Sequence, residues 1–357
     1  MGLNKGKAAV VSLRYNAGHL SYLIGLGKAF CELGYGVDYL LSPEYARFHE
    51  LSAIAPVLPV NGNGLCANGH SHAVFVNPSI QNHRVAALFK ENGTRILYIY
   101  HEPWKYSLEY LIGEGPLRWV RIALAHQASK LMLKVCDAVI LPSQYGAQVY
   151  AEGDIRYNSN AHCIPTMYDD EGSGVVLQTA ARKYFSYIGA ICYANGFDQY
   201  VAFMKHAFSR GLDLRFLVAS KVPLPDYVMK DRLISDNRDK ISTVCGRALT
   251  SEEINRCYAE SFCVWNLYRR STQSGVLVKS FMFGTPVIAS RTGSFPEFVK
   301  DGFNGRFASI ADYAAIEAAV LDIREHWDEY TANCRKTFLE TFFYRTTLHE
   351  FERLLTS

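Results

Sequence analysis

The sequence has no long apolar run, no cysteine framework and almost no net charge. No stretch reaches the roughly 18–20 apolar residues that a membrane-spanning helix needs. The opening Met1-Gly-Leu-Asn-Lys-Gly-Lys carries no apolar signal core, so no secretory leader is expected. The nine cysteines are odd in number and none is spaced C-x-x-C. That argues against a zinc cage and a disulfide framework, and predicts a reducing, cytoplasmic setting with no metal. Lys+Arg total 37 against 34 Asp+Glu, a net charge of +3. A nucleic-acid binder shows a clustered basic excess, so no nucleic-acid partner is expected. With 13% aromatic residues the chain is not of a disordered type. No G-x-G-x-x-G follows the first strand pattern, which disfavours a dinucleotide oxidoreductase.

What is present is a 357-residue chain, 49% apolar, about two domain units long. Strand and helix patterns alternate. Strands are predicted at 8–13, 37–41, 57–60, 73–76, 96–100, 138–141 and 161–164. Helices are predicted at 20–33, 81–92, 116–135 and 144–151, with Gly34 stopping the first and Ser143 capping the last. An acidic segment, 169–173, reads as a linker. The pattern then restarts with a strand at 184–188, a loop at 189–196 and a helix at 197–209. Further strands follow at 214–219, 241–245, 262–265 and 285–289. Further helices follow at 251–259, 275–283, 311–325, 326–338 and 346–355. Such alternation predicts two doubly wound parallel sheets, with ligands outside the C-terminal strand ends and a crevice between the domains.

The most informative stretch is 268–305. A strand ends, a polar loop follows, and Ser274-Gly275 opens a helix. Unsatisfied N–H groups and a partial positive charge make a helix N-terminus a ready anion site. Gly284, Pro286, Val287, Ile288, Ala289, Gly293, Pro296, Glu297, Val299, Asp301, Gly302, Asn304 and Gly305 then match the text G-x-P-V-I-A…G-G-x-P-E-x-V-x-D-G-x-N-G. The stretch resembles the nucleotide-sugar half of family 4 glycosyltransferases of the GT-B fold, the group 1 type. Tyr268, Arg269, Thr272, Gln273, Ser274, Gly275 and Val276 are similar to a subset of that family reading Y-R-x-x-T-Q-S-G-V. Weaker echoes are Asn16-Ala-Gly-His19, Gly34-Tyr-Gly-Val37, Tyr98-Ile-Tyr-His101, Asp137-Ala-Val-Ile-Leu-Pro-Ser143 and 188–198.

The resemblance implies a GT-B protein of two Rossmann-like α/β/α domains facing across a cleft. They would be an acceptor-side domain at 1–172 and a nucleotide-sugar domain at 173–340, with a C-terminal helix, 341–357, packing back on the first. It implies transfer of a hexose-type sugar from a nucleotide-diphosphate donor to an oligosaccharide or lipid-linked acceptor, in polysaccharide or glycoconjugate biosynthesis. The expected course is retaining, with no metal and no cofactor beyond the donor. The other reading is a silent GT-B subunit that binds sugar nucleotide or glycan beside a catalytic partner. The diphosphate is expected near Ser274, Gly275 and Val276, with Gln273 beside them, and the sugar near His101 and Gly18.

The sequence departs from the family pattern where charge matters. The family's Arg and Lys in the R-x-x-K-G loop correspond to Cys192 and Asn195, or on a two-residue shift the Arg to Ala190, and neither alignment restores a cation; its two glutamates of E-x7-E are Ser271 and Lys279. A lysine donates but cannot accept from ribose hydroxyls. Charge-assisted bonds are about twice as strong as neutral ones, so donor binding calls for other cations. Lys221, Arg269, Arg270 and Lys279 are the candidates.

Several residues carry two readings. His101 at a strand end is either a donor contact or an ordinary surface histidine. Glu102 is a general base if the reaction inverts, or otherwise a solvated carboxylate. Gly18 and His19 form either a ligand-facing loop or a tight turn. Glu297 fits the first turn of a helix. The segment 116–134 mixes cations with large apolar residues, so it either touches an anionic membrane surface or packs with a basic edge. Tyr98, Tyr100, Trp104, Tyr106 and Tyr110 either stack on an acceptor sugar or fill the core.

Overall fold

The protein is described here as a computed structural model covering residues 5–59, 69–103, 115–153, 158–173 and 182–357. Trp104, Tyr106 and Tyr110 lie outside these residues. The chain forms two compact units, Met1–Asp169 with Thr341–Ser357, and Asp170–Glu340.

The first unit holds a seven-stranded sheet of β1 (Lys7–Ser12), β2 (Gly36–Leu41), β3 (Val57–Pro59), β4 (His70–Phe75), β5 (Arg95–Ile99), β6 (Ala138–Leu141) and β7 (Ala161–Cys163). Their order is β3-β2-β1-β4-β5-β6-β7, and every pairing is parallel. Helices of eight residues or more are α1 (Leu20–Glu32), α2 (Asn82–Glu91), α3 (Pro116–Val135) and α4 (Gln144–Glu152). Continuous apolar strands such as Ala8–Val11 are buried on both faces, as a helix-covered parallel sheet requires. Tyr98 and Tyr100 stack with ring centroids 5.8 Å apart inside the core, so they are not free to meet a sugar. Gly34 ends α1 in the left-handed region, φ +87°.

The second unit repeats the winding with six strands. They are β8 (Tyr184–Ile188), β9 (Arg215–Ser220), β10 (Ile241–Cys245), β11 (Ser261–Asn266), β12 (Val287–Ala289) and β13 (Gly305–Phe307). The order β10-β9-β8-β11-β12-β13 is again all parallel. The helices are α5 (Phe197–Ser209), α6 (Ser251–Ala259), α7 (Gly275–Met282), α8 (Tyr313–Glu325) and α9 (Trp327–Thr341). Phe185, Tyr200, Phe203, Phe216 and Trp265 pack ring on ring in the core. Thr285 does not join β12. Its hydroxyl donates to the Tyr258 carbonyl and accepts from Arg182 Nη1, and Pro286 has no N–H for a ladder.

The last helix, α10 (Leu348–Thr356), belongs to the first unit. Phe351 meets Phe30 at 5.1 Å, and Lys5 pairs with Glu352 at 2.6 Å. Among the described residues no helix is long and apolar enough to cross a membrane.

Candidate functional site

In the second unit the strand order reverses between β8 and β11, so the loops leaving those strands diverge at a topological switch point. Ligands of doubly wound sheets bind there, outside the carboxyl ends of the strands. The loops are residues 189–196 and 267–274, and the second runs straight into α7.

The two loops are bound to each other. Arg269 N donates to the Ala194 carbonyl at 2.8 Å and Arg269 Nη1 to the Tyr193 carbonyl at 2.7 Å. Trp265 Nε1 donates to the Asn195 carbonyl, and the Asn195 amide reaches back to Ala190 O, each at 3.3 Å. Gly196 has φ +68°, and a Cβ there would sit 2.4 Å from the Leu267 carbonyl. Gly293 has φ +60°, and its Cβ would fall 1.4 Å from the Ser271 carbonyl. Only glycine meets both demands.

Ser274 caps α7 and its hydroxyl accepts from Leu277 N at 3.3 Å. The first turn-closing backbone bond is Val278 N to Ser274 O. The N–H groups of Gly275 and Val276 therefore have no acceptor within the helix, as the geometry of a helix start dictates. Val276 Cγ2 lies 3.4 Å from where a Cβ on Gly189 would be, so this helix start abuts the β8 loop. Gln273 is half-buried, and its carbonyl accepts from Ser271 Oγ.

The candidate cations divide. Arg269 grips both oxygens of Asp198 at 2.7 Å and its guanidinium lies 3.8 Å from the Tyr193 ring centroid. Burial pushes the Asp198 carboxyl up, but the hydrogen bonds from Arg269, Gln199 and the backbone together with the Arg269 charge outweigh it, and the net direction is down. Lys279 is 8% exposed. Its ammonium binds Glu171 Oε2 at 2.9 Å and Asn255 Oδ1 at 2.6 Å. Both cations are thus already matched by a carboxylate, which the sequence did not reveal because the partners are 71 and 108 residues away. Arg270 is half-buried. Lys221, just past β9, is exposed and forms no ion pair among those described.

In the first unit, Asn16, Gly18 and His19 form the turn between β1 and α1. Gly18 N donates to Asn16 Oδ1 at 3.0 Å, and Tyr45 holds the Asn16 backbone at both ends. Gly18 is exposed, and a Cβ there would meet nothing closer than 3.4 Å. His101, just past β5, lies 4.6 Å from His19, ring centroid to centroid, with Tyr22 edge-on at 5.5 Å. Burial lowers the His19 pKa to about 4, partly opposed by a bond to Asn77. Burial, then the His19 charge, lowers that of His101 well below the usual range. Both imidazoles are neutral at pH 7. Glu102 is exposed. Asn77 also donates to Ser12 Oγ and the Arg14 carbonyl, so it orders this loop, a role no local pattern signals. Glu297 stands in the first turn of a short helix, Phe295–Phe298.

Along α3, Leu117, Val120 and Leu124 are 79, 57 and 52% exposed. The helix sequence has no acidic residue and includes Arg121, Lys130 and Lys134.

Residues 182–326 match the family described as glycosyl transferases, group 1. No curated protein sequence matches the chain. Among solved structures, the chain resembles sucrose-phosphate synthase from Thermosynechococcus elongatus at 15% identity and TM-score 0.74, covering 98% of each chain. It resembles HepE of Anabaena, solved with UDP and glucose, at 14% identity and TM-score 0.72, covering 99% of this chain and 100% of that one. The catalytic domain of starch synthase IV from Arabidopsis thaliana, bound to ADP and acarbose, is similar at 13% identity and TM-score 0.67, with 98 and 99% covered.

Proposed function

We propose that this chain, which has the GT-B fold and matches the group 1 glycosyl transferases over residues 182–326, transfers a hexose-type sugar from a nucleotide-diphosphate donor to an oligosaccharide or lipid-linked acceptor. The observation that carries this reading is the start of α7. Two N–H groups without helical acceptors, Gly275 and Val276, abut the glycine-bearing β8 loop at the switch point. Backbone donors fixed in advance can stabilise the charge that develops on a leaving diphosphate. Lys221 is the cation proposed to join them, with Gln273 and Asn195 as neutral donors. Arg269 acts as a positioning residue, because it pins the β8 loop.

His101 and Glu102 are the proposed catalytic side chains of the first unit. A neutral imidazole can accept or donate a hydrogen bond to a sugar hydroxyl without adding charge. The reading includes a retaining, metal-independent course, which proton NMR of the first-formed product in chelator checks. The exposed apolar and basic side chains of α3 support a lipid-linked acceptor at an anionic membrane surface. Co-sedimentation with anionic vesicles, lost in a Leu117→Ser/Val120→Ser variant, tests that part.

The decisive experiment is calorimetry with UDP, ADP and GDP and their glucose conjugates, followed by a radiolabel-transfer assay. Saturable binding of one nucleotide with transfer or slow hydrolysis is expected. A second reading rests on the missing loop cations and on Arg269 and Lys279 being matched by carboxylates. On it, the protein binds a nucleotide sugar without turning it over. Binding with neither transfer nor hydrolysis selects that reading, and no nucleotide affinity sinks both.

A further inference from the structure

At the opposite end of the second unit's sheet is a cavity of about 270 Å³. It is lined by Arg182, Lys183, Asp213, Arg215, Phe262, Arg324 and Trp327, from the N-terminal ends of β8, β9 and β11 and the junction of α8 and α9. Four of these side chains are cations and one is a carboxylate. Asp213 does little to offset the excess. Its side chain is 97% exposed and reaches Arg324 at the long distance of 4.0 Å.

Two buried donors in this lining have no acceptor among the described residues. Arg182 and Trp327 are each 7% exposed. Arg182 spends Nη1 on Ser261 O and Thr285 Oγ1 and Nη2 on Phe283 O. Its Nε is unpartnered, and so is Trp327 Nε1. The guanidinium lies 5.0 Å from the Trp327 ring centroid. A buried N–H without an acceptor is costly. A wall of donors and cations with two such groups calls for an oxygen-rich anion.

We propose that this cavity is an anion site for a phosphate group, free or carried on a small phosphomonoester, separate from the nucleotide-sugar site and independent of it. Phosphate suits it better than a single carboxylate. Arg and Lys groups converging from several elements match an oxyanion with several acceptor oxygens. The cavity is also larger than one small ion needs.

The test uses the full chain and inorganic phosphate at constant ionic strength, followed by Trp327 fluorescence with Trp327→Phe as the blank, and by calorimetry. Saturable binding is expected. Arg215→Glu should weaken it by about tenfold or more, as loss of a charge-assisted contact and its reversal imply, while nucleotide affinity stays within about twofold. Arg215 is exposed and Lys183→Gln is a milder second variant, so a folding failure in one leaves the other to decide. Glycerol phosphate in a parallel titration distinguishes the sources. Tighter binding assigns a carried phosphate, and equal or weaker binding assigns the free ion. A response that chloride reproduces, or phosphate binding unchanged in both variants, overturns the proposal.

Discussion

The two sheets wind in the same order, yet their first βα loops are built differently. In the first unit the turn between β1 and α1 sets imidazoles together, His19 and His101 at 4.6 Å, both driven neutral by burial. In the second unit the loop between β8 and α5 is held by backbone carbonyls that accept from Arg269 and Trp265. On the proposed reading, the first unit would act through side chains that can titrate, and the second through amide N–H groups that cannot. Two of the candidate cations there, Arg269 and Lys279, are matched by Asp198 and Glu171. A shared topology fixes where a site is placed and leaves open which atoms furnish it.

The comparison can be broken most forcefully at Lys279. If its charge serves the fold, Lys279→Met should cost about 2 kcal/mol in urea unfolding, because the half-buried Glu171 loses its ammonium partner. The Lys279→Met/Glu171→Gln double variant should recover much of that. A cost under about 1 kcal/mol would return Lys279 to the ligand-binding candidates. Next comes Gly293→Ala. Its Cβ would collide with the Ser271 carbonyl at positive φ, so a loss of about 2 kcal/mol is expected, with weaker nucleotide binding.

The first unit should respond to mildly acidic pH through its buried imidazoles. The folded-state pKa of His19 is lowered from 6.5 to about 4. Above pH 6.5 folded and unfolded forms are both neutral, and the stability is fully present. Between 6.5 and 4 the unfolded chain binds more protons, so stability falls as pH drops, by about 1–2 kcal/mol at pH 5. Thermal melts of wild type and a His19→Gln/His101→Gln variant between pH 7.5 and 5 check this. Parallel curves would show that the imidazoles are not the source. The smallest effect is expected at Lys221. Lys221→Ala should weaken nucleoside-diphosphate binding about fivefold, near 1 kcal/mol, with no change in melting temperature.

Much of the fold is legible in local pattern. The elements at 184–188, 197–209, 241–245 and 251–259 are found where periodicity and capping signals put them. Thr250 and Glu253 form a full capping box at the start of α6. The strand β13 was missed because three residues carry no readable alternation, and its neighbouring Asp-Gly and Asn-Gly pairs read as turns. The acidic segment 169–173 read as a linker by composition. The boundary between the two units does fall within it, between Asp169 and Asp170, and its carboxylates pair with Lys28, Arg335 and Lys279. At the site, Ser274-Gly275 was visible as a helix start, whereas the clamps on Arg269 and Lys279 were not. Pairings between residues many tens of positions apart leave no trace in local spacing.

The central claim is that backbone N–H groups at the start of α7, not a cationic loop, receive the donor diphosphate. Amide chemical-shift mapping on the labelled protein during titration with the tightest-binding nucleoside diphosphate tests it most directly. The largest shifts are expected at Gly275 and Val276, with smaller ones at Gly189 and Lys221. Saturable binding that leaves the Gly275 and Val276 amides unmoved would contradict it.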